Sequence, residues 1–208
     1  LIQSEKLASV GLLAAGITHQ IRNYLGRMLM SAGALRPADT AETIAAWAAA
    51  LENKSGPTAL LLSRQNIDPV NGDCRKASGA KMGAYVVKDA GAPDVLLIAA
   101  GSEVPMCQQA ADALAESGIK ARVVSMPSFE LFEAQDKAYR DSVLPPGVKK
   151  RVVVEAGATF GWHKYAGDEG IVIGLDRFGA SGPYKVLGEK FGFTPESITA
   201  KTKAYLGR

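Results

Sequence analysis

The sequence predicts an α/β protein in which mostly parallel sheets are flanked by helices, with a Rossmann-like unit in its C-terminal part. Three observations predict this. The runs at 95–100, 121–125, 151–154 and 171–173 are short, aliphatic and rich in β-branched residues, as strands buried on both faces must be. Helical patterns separate the first three of these runs, which is the order of a parallel sheet with crossover helices. The 208 residues are 47% hydrophobic, enough for a packed core in one large domain or two smaller ones. The net charge of +3 is spread along the chain without a basic stripe, so no nucleic-acid partner is expected. No apolar run reaches the length of a membrane span, and no signal peptide is visible. Cys74 and Cys107 stand in no ligand-like spacing and fit a reducing compartment, here read as the cytoplasm.

Taken in order, Leu7, Val10, Ala14, Ile17, Ile21, Tyr24 and Met28 alternate spacings of 3 and 4, a heptad seam for a bundled or coiled helix. Gly11 and Gly16 weaken that helix by about 1 kcal/mol each relative to Ala. His19 falls on the opposite face and reads as a solvated histidine. Asp39-Thr40-Ala41-Glu42 is a capping box: Asp39 accepts from the Glu42 amide, and Glu42 reaches back to the Asp39 amide. Ile44, Trp47, Ala48 and Leu51 then mark an apolar helix face. Gly56-Pro57 ends the helix, and 58–62 reads as a buried parallel strand. Ser63-Arg64-Gln65-Asn66 follows at the carboxyl end of that strand, where ligands of open α/β sheets bind. Arg64 is either an anion clamp, its guanidinium offering a rigid donor fork, or half of a structural ion pair.

Residues 67–82 are polar and rich in Gly, Asp and Lys, and read as a linker. Beyond it, 85–87 and 95–100 are strands. Gly101-Ser102-Glu103 opens a helix over about 104–117, with Gly118 at its end; Gly101-Ser102 reads as a tight turn or an anion site. A strand at 121–125, one helix over about 129–142, and strands at 151–154 and 171–173 complete the pattern. Glu155 ends a strand, as catalytic acids can, or makes a subunit contact or surface pair. His163, beside Trp162 and Tyr165, reads as packing or interface.

Two family resemblances run through these residues. The stretch from Gln3 to Asn23, with Leu7-Ala8-Ser9-Val10-Gly11-Leu12 and Gly16-Ile17-Thr18-His19-Gln20-Ile21-Arg22-Asn23, resembles the phosphoacceptor helix of sensor histidine kinases. That resemblance implies phosphorylation of His19. Gln20 and Tyr24 stand where that family has an acidic residue and Pro, and nothing downstream resembles its ATP-binding domain. The second resemblance is to transketolase. Arg36-Pro37-Ala38-Asp39, Glu42-Thr43, Trp47 and Gly56-Pro57-Thr58-Ala59-Leu60 leading into Ser63-Arg64-Gln65-Asn66 resemble the end of its pyrimidine-binding domain. Leu97 to Val104, Ala121 to Ser128, Gln135-Asp136, Val154-Glu155-Ala156-Gly157 and Phe191-Gly192-Phe193-Thr194 resemble its C-terminal domain almost continuously. The stretch Ser9 to Gln20 also fits that family's substrate loop. There, however, Leu7 and Ala8 replace a His-Asp pair, Ala15 an acidic residue and Ile17 a Pro.

The transketolase resemblance implies 1–66 as the end of the pyrimidine-binding domain (1–35 atypical), 67–82 as linker and 83–208 as the C-terminal domain. It implies transfer of a two-carbon ketol unit between phosphorylated sugars by a homodimer. Thiamine diphosphate and Mg2+ or Ca2+ would be held mostly by residues outside this chain, which is incomplete alone. His19 would contact the sugar catalytically, and Arg64, with Ser63, would hold the substrate phosphate. The resemblance transfers no catalytic residue to 83–208. Two other readings stand beside it: a signalling module with a dimerising phosphoacceptor helix, and a noncatalytic α/β binding subunit.

Overall fold

The computed structural model describes residues 33–63, 65–70 and 74–208. Their core is a five-stranded sheet ordered β3-β5-β4-β6-β7, built from β3 (Tyr85–Lys88), β4 (Val95–Ala99), β5 (Ala121–Ser125), β6 (Arg151–Val154) and β7 (Ile171–Ile173). All pairs are parallel except β3 with β5. The expected strands at 121–125, 151–154 and 171–173 form over those residues, and that at 95–100 stops one residue earlier.

Period-two alternation explains why β4 is apolar throughout. Val95, Leu97 and Ala99 pack with Val104, Cys107, Ala111 and Leu114 of α3 (Glu103–Glu116) and with Ile198 of α8 (Pro195–Tyr205). Leu96 and Ile98 face the opposite layer, with Phe132 of α4 (Phe129–Glu133), Val143 of α5 (Lys137–Val143) and Tyr165 of α6 (His163–Ala166). The expected helix over 129–142 is therefore two. Asp136 breaks it, because its side chain accepts from the Tyr139 amide at 2.7 Å and so starts α5 as an N-cap. The helices α6, α7 (Tyr184–Phe191) and α8 lie beyond the elements expected from sequence.

A smaller parallel pair, β1 (Gly33–Leu35) and β2 (Thr58–Leu60), flanks α1 (Thr40–Glu52). The strand expected over 58–62 is thus shorter and only half-buried, and Leu61 and Leu62 are exposed. It ends because its partner turns away at Arg36-Pro37, where proline has no N–H to extend the ladder. The capping box forms with one change. Asp39 Oδ1 accepts from the Glu42 amide at 2.8 Å, but Glu42 Oε2 accepts from the Ala38 amide, at 2.7 Å, and not from Asp39. The Glu42 carboxylate is fully buried, and its other oxygen accepts from Tyr85 Oη at 2.8 Å, which fixes its direction.

The face of α1 also differs from expectation. Ile44, Trp47 and Leu51 are 62%, 53% and 77% exposed, whereas Glu42, Ala45 and Ala46 are buried. The helix carries two stripes, and the small one faces inward because Ala permits close approach to the chain at 74–82. That segment, read as linker, forms the helical turn α2 (Cys74–Ala77) and a 3-10 turn over Ser78–Met82, which packs through Ala80 against Ala45 and Tyr85.

Candidate functional site

Arg36 joins the two sheets. Arg36 follows β1 and enters the carboxyl edge of the large sheet. Its amide donates to Pro127 O beyond β5, at 2.8 Å, and its carbonyl accepts from the Gly101 amide beyond β4, at 3.1 Å. Its guanidinium grips Glu155 beyond β6 through two bonds, Nη1 to Oε2 and Nη2 to Oε1, the latter 2.8 Å. Loops after three adjacent strands thus hold one residue of the smaller unit. Glu155 is 4% exposed, and Trp162 Nε1 donates to its Oε2 at 2.9 Å. A carboxylate this buried requires such pairing. Glu155 is therefore an internal joint and not the surface pair or subunit contact expected.

Glu103 lies beside this pair at the start of α3, 3% exposed, with Ser102 Oγ donating to its Oε1 at 2.9 Å. Burial pushes its carboxyl up to about 7; the Ser102 bond and the Arg36 charge oppose the rise and the Glu155 charge adds to it. Burial alone would lower Arg36, but the hydrogen bond and charge of Glu155, with the charge of Glu103, raise it instead. Gly101-Ser102 is a tight turn, with Gly101 at φ +62° and its amide spent on Arg36.

Ser63 is exposed on the loop after β2. With Asp39, Thr43, Gln65 and Asn66 it lines a cavity of about 420 Å³. Gln65 also lines a second cavity of about 360 Å³, together with Arg36, Ser102, Glu103 and the apolar Leu175 and Leu187. Gln65 thus lines both recesses, one shared with Arg36 and the other with Pro37 and Ala38. His19 and Arg64 lie outside the described residues. His163 is exposed, while its neighbours Trp162 and Tyr165 are buried, so packing belongs to them and not to it.

Arg36, Glu155 and Glu103 are the site residues that sequence reading missed as a group. A signal existed: a charged residue directly after three buried valines needs a partner, and an Arg just past a strand, before Pro, can supply one. Among the described residues no three or more His, Cys, Asp or Glu converge to hold a metal ion. Of the two buried acids here, Glu155 is paired with Arg36 and Glu103 accepts from Ser102. The described residues therefore do not fit a site for a metal-bound diphosphate.

Comparison with known proteins places this geometry. The profile described as "Transketolase-like TK C-terminal domain" matches residues 83–194. The chain is similar to "Transketolase" of Geobacillus stearothermophilus, 47% identical over 198 residues that cover 93% of this chain and 30% of that protein. Among solved structures it is similar to transketolase from Leishmania mexicana, with a TM-score of 0.80 and 41% identity over 90% of this chain and 27% of that one. A transketolase from Pichia stipitis, solved in complex with sedoheptulose-7-phosphate, gives a TM-score of 0.78 and 38% identity over 85% of this chain and 25% of that one. The chain thus spans about three-tenths of the length of the curated relatives it matches.

Proposed function

The chain belongs to the transketolase family, and on that premise we propose that it serves as the C-terminal portion of a thiamine-diphosphate-dependent transketolase. The observation that carries this reading is the reach of the likeness: it extends over 93% of the chain, through both the Arg36 joint and the loop after β2. In the complete enzyme a two-carbon ketol unit would pass between phosphorylated sugars, and the cofactor would supply the carbanion chemistry. Its diphosphate and the Mg2+ or Ca2+ would be held by residues other than those described. Residues 1–66 would end the pyrimidine-binding domain, 67–82 connect, and 83–208 form the C-terminal domain. The assembly would be a cytoplasmic homodimer.

Within this chain the loop after β2 is the substrate-facing element. Arg64 would clamp the sugar phosphate with its donor fork, Ser63 would add a hydroxyl, and His19 would contact the sugar oxygens. The complex of the Pichia stipitis relative with a phosphorylated sugar is in keeping with that ligand class. The test is Arg64→Ala in the complete enzyme. KM for a phosphorylated acceptor should rise by about 10-fold or more, with a much smaller change for an unphosphorylated one. Equal changes for both acceptors would refute the clamp.

A further inference from the structure

We infer that Glu155 is a positioning residue for the loop after β2, through its described residues Ser63, Gln65 and Asn66: by holding Arg36 at the carboxyl edge of the large sheet, it sets where β2 presents them. In an open α/β sheet the ligand crevice opens where the strand order reverses, beyond the carboxyl ends of the strands. Here the reversal falls at β4, since β5 lies on one side of it and β6 on the other. The crevice between β4 and β6 receives the Arg36 side chain of the smaller unit. The large sheet thus uses its ligand position to seat its neighbour.

The joint is rigid on one side and close to the loop on the other. The Glu155 amide donates to Ile173 O at 3.0 Å, and its carboxylate is braced by Trp162. Trp162 in turn packs edge-on against Phe129, with ring centroids 4.7 Å apart. On the other side Leu35, adjacent to Arg36, accepts from the Leu61 amide at 2.9 Å. One residue, Leu62, then separates Leu61 from Ser63. Gln65 returns to the cavity that Arg36 lines. A displacement of Arg36 reaches the loop through one hydrogen bond and a short length of backbone. A misplacement of about 1 Å at a substrate-positioning element costs on the order of 100-fold in rate. The C-terminal unit therefore contributes without a reacting group of its own.

The role as a substrate loop rests on the proposed function; the mechanical coupling does not, and the test separates them. In the complete enzyme Glu155→Gln keeps the shape of the side chain and removes its charge. Hydrogen exchange of the peptide spanning 61–66 should quicken by about 10-fold while the amides of β4 stay protected. KM for a phosphorylated acceptor should rise more than for an unphosphorylated one, and combination with Arg64→Ala should be non-additive. A merely structural role would lower Tm and leave both the loop exchange and the acceptor ratio unchanged, which would overturn the inference. An acceptor ratio altered by Arg64→Ala but not by Glu155→Gln would also overturn it. If Arg64→Ala itself shows no selectivity, the clamp fails, and faster loop exchange in Glu155→Gln still upholds the coupling. Should Glu155→Gln not fold, Trp162→Phe removes the brace while keeping the charge and is read the same way.

Discussion

Replacing Glu103 by Gln should change how stability depends on pH. The Glu103 carboxyl is buried beside Ser102, Arg36 and Glu155, and titrates near 7 where an ordinary glutamate titrates near 4.5. The folded protein therefore retains a proton that the unfolded chain has released. This contribution is fully present below the unfolded value, and stability falls as pH rises from there to about 7. Integrated over that window, the difference is about 3 kcal/mol, because each pH unit is worth about 1.4 kcal/mol. The substituted amide keeps the shape of the side chain and cannot ionise. Urea unfolding of both proteins at about pH 5 and about pH 8 should show the variant gaining about 2–3 kcal/mol on the wild type between the two, with m unchanged. Burial also raises Glu42, but that slope is common to both proteins and cancels. Stability curves that run parallel across this range would refute the claim that Glu103 is held protonated by its surroundings.

Two further substitutions test the packing around the joint. Tyr85→Phe removes the hydroxyl that donates to the buried Glu42 and should cost about 1–3 kcal/mol, read from the urea midpoint; a change within error would show that the Tyr85 bond is dispensable. Gly83→Ala should cost more, about 4 kcal/mol or above, seen as a large fall in Tm. Gly83 sits at φ +85°, and an added Cβ would lie 2.1 Å from the Phe132 amide nitrogen, so backbone strain and a clash with α4 act together.

The large sheet was legible because its strands are buried on both faces and so leave unbroken aliphatic runs. The helix α8 was not, because two of its three buried residues are Thr199 and Thr202. Their hydroxyls return to Pro195 O and Ile198 O, both at 2.7 Å, so polar side chains occupy core positions without an apolar stripe. The helix α7 does carry an apolar face, yet it buries no residue fully. For α1 the periodicity was real but ambiguous: Ile44, Trp47 and Leu51 form the larger stripe, yet Ala45 and Ala46 face inward. The joint was hidden by distance. Arg36 and Glu155 are 119 positions apart, and no local spacing links them. The loop 63–66 was marked by its place after a strand and by family likeness, while its tie to Glu155 required three dimensions.

That same separation has a kinetic meaning. The large sheet assembles from neighbouring strands with modest loops between them, whereas closing Arg36 onto Glu155 orders a much longer span of chain. Each doubling of a closed loop adds about 0.6 kcal/mol of entropic cost, and contacts of high sequence separation come late in folding. The large sheet would form first and offer its carboxyl edge as a template, and β1 would arrive afterwards. Interactions made late are those whose loss mainly speeds unfolding. Loss of the Arg36 latch should therefore speed unfolding of the docked two-sheet unit more than it slows folding.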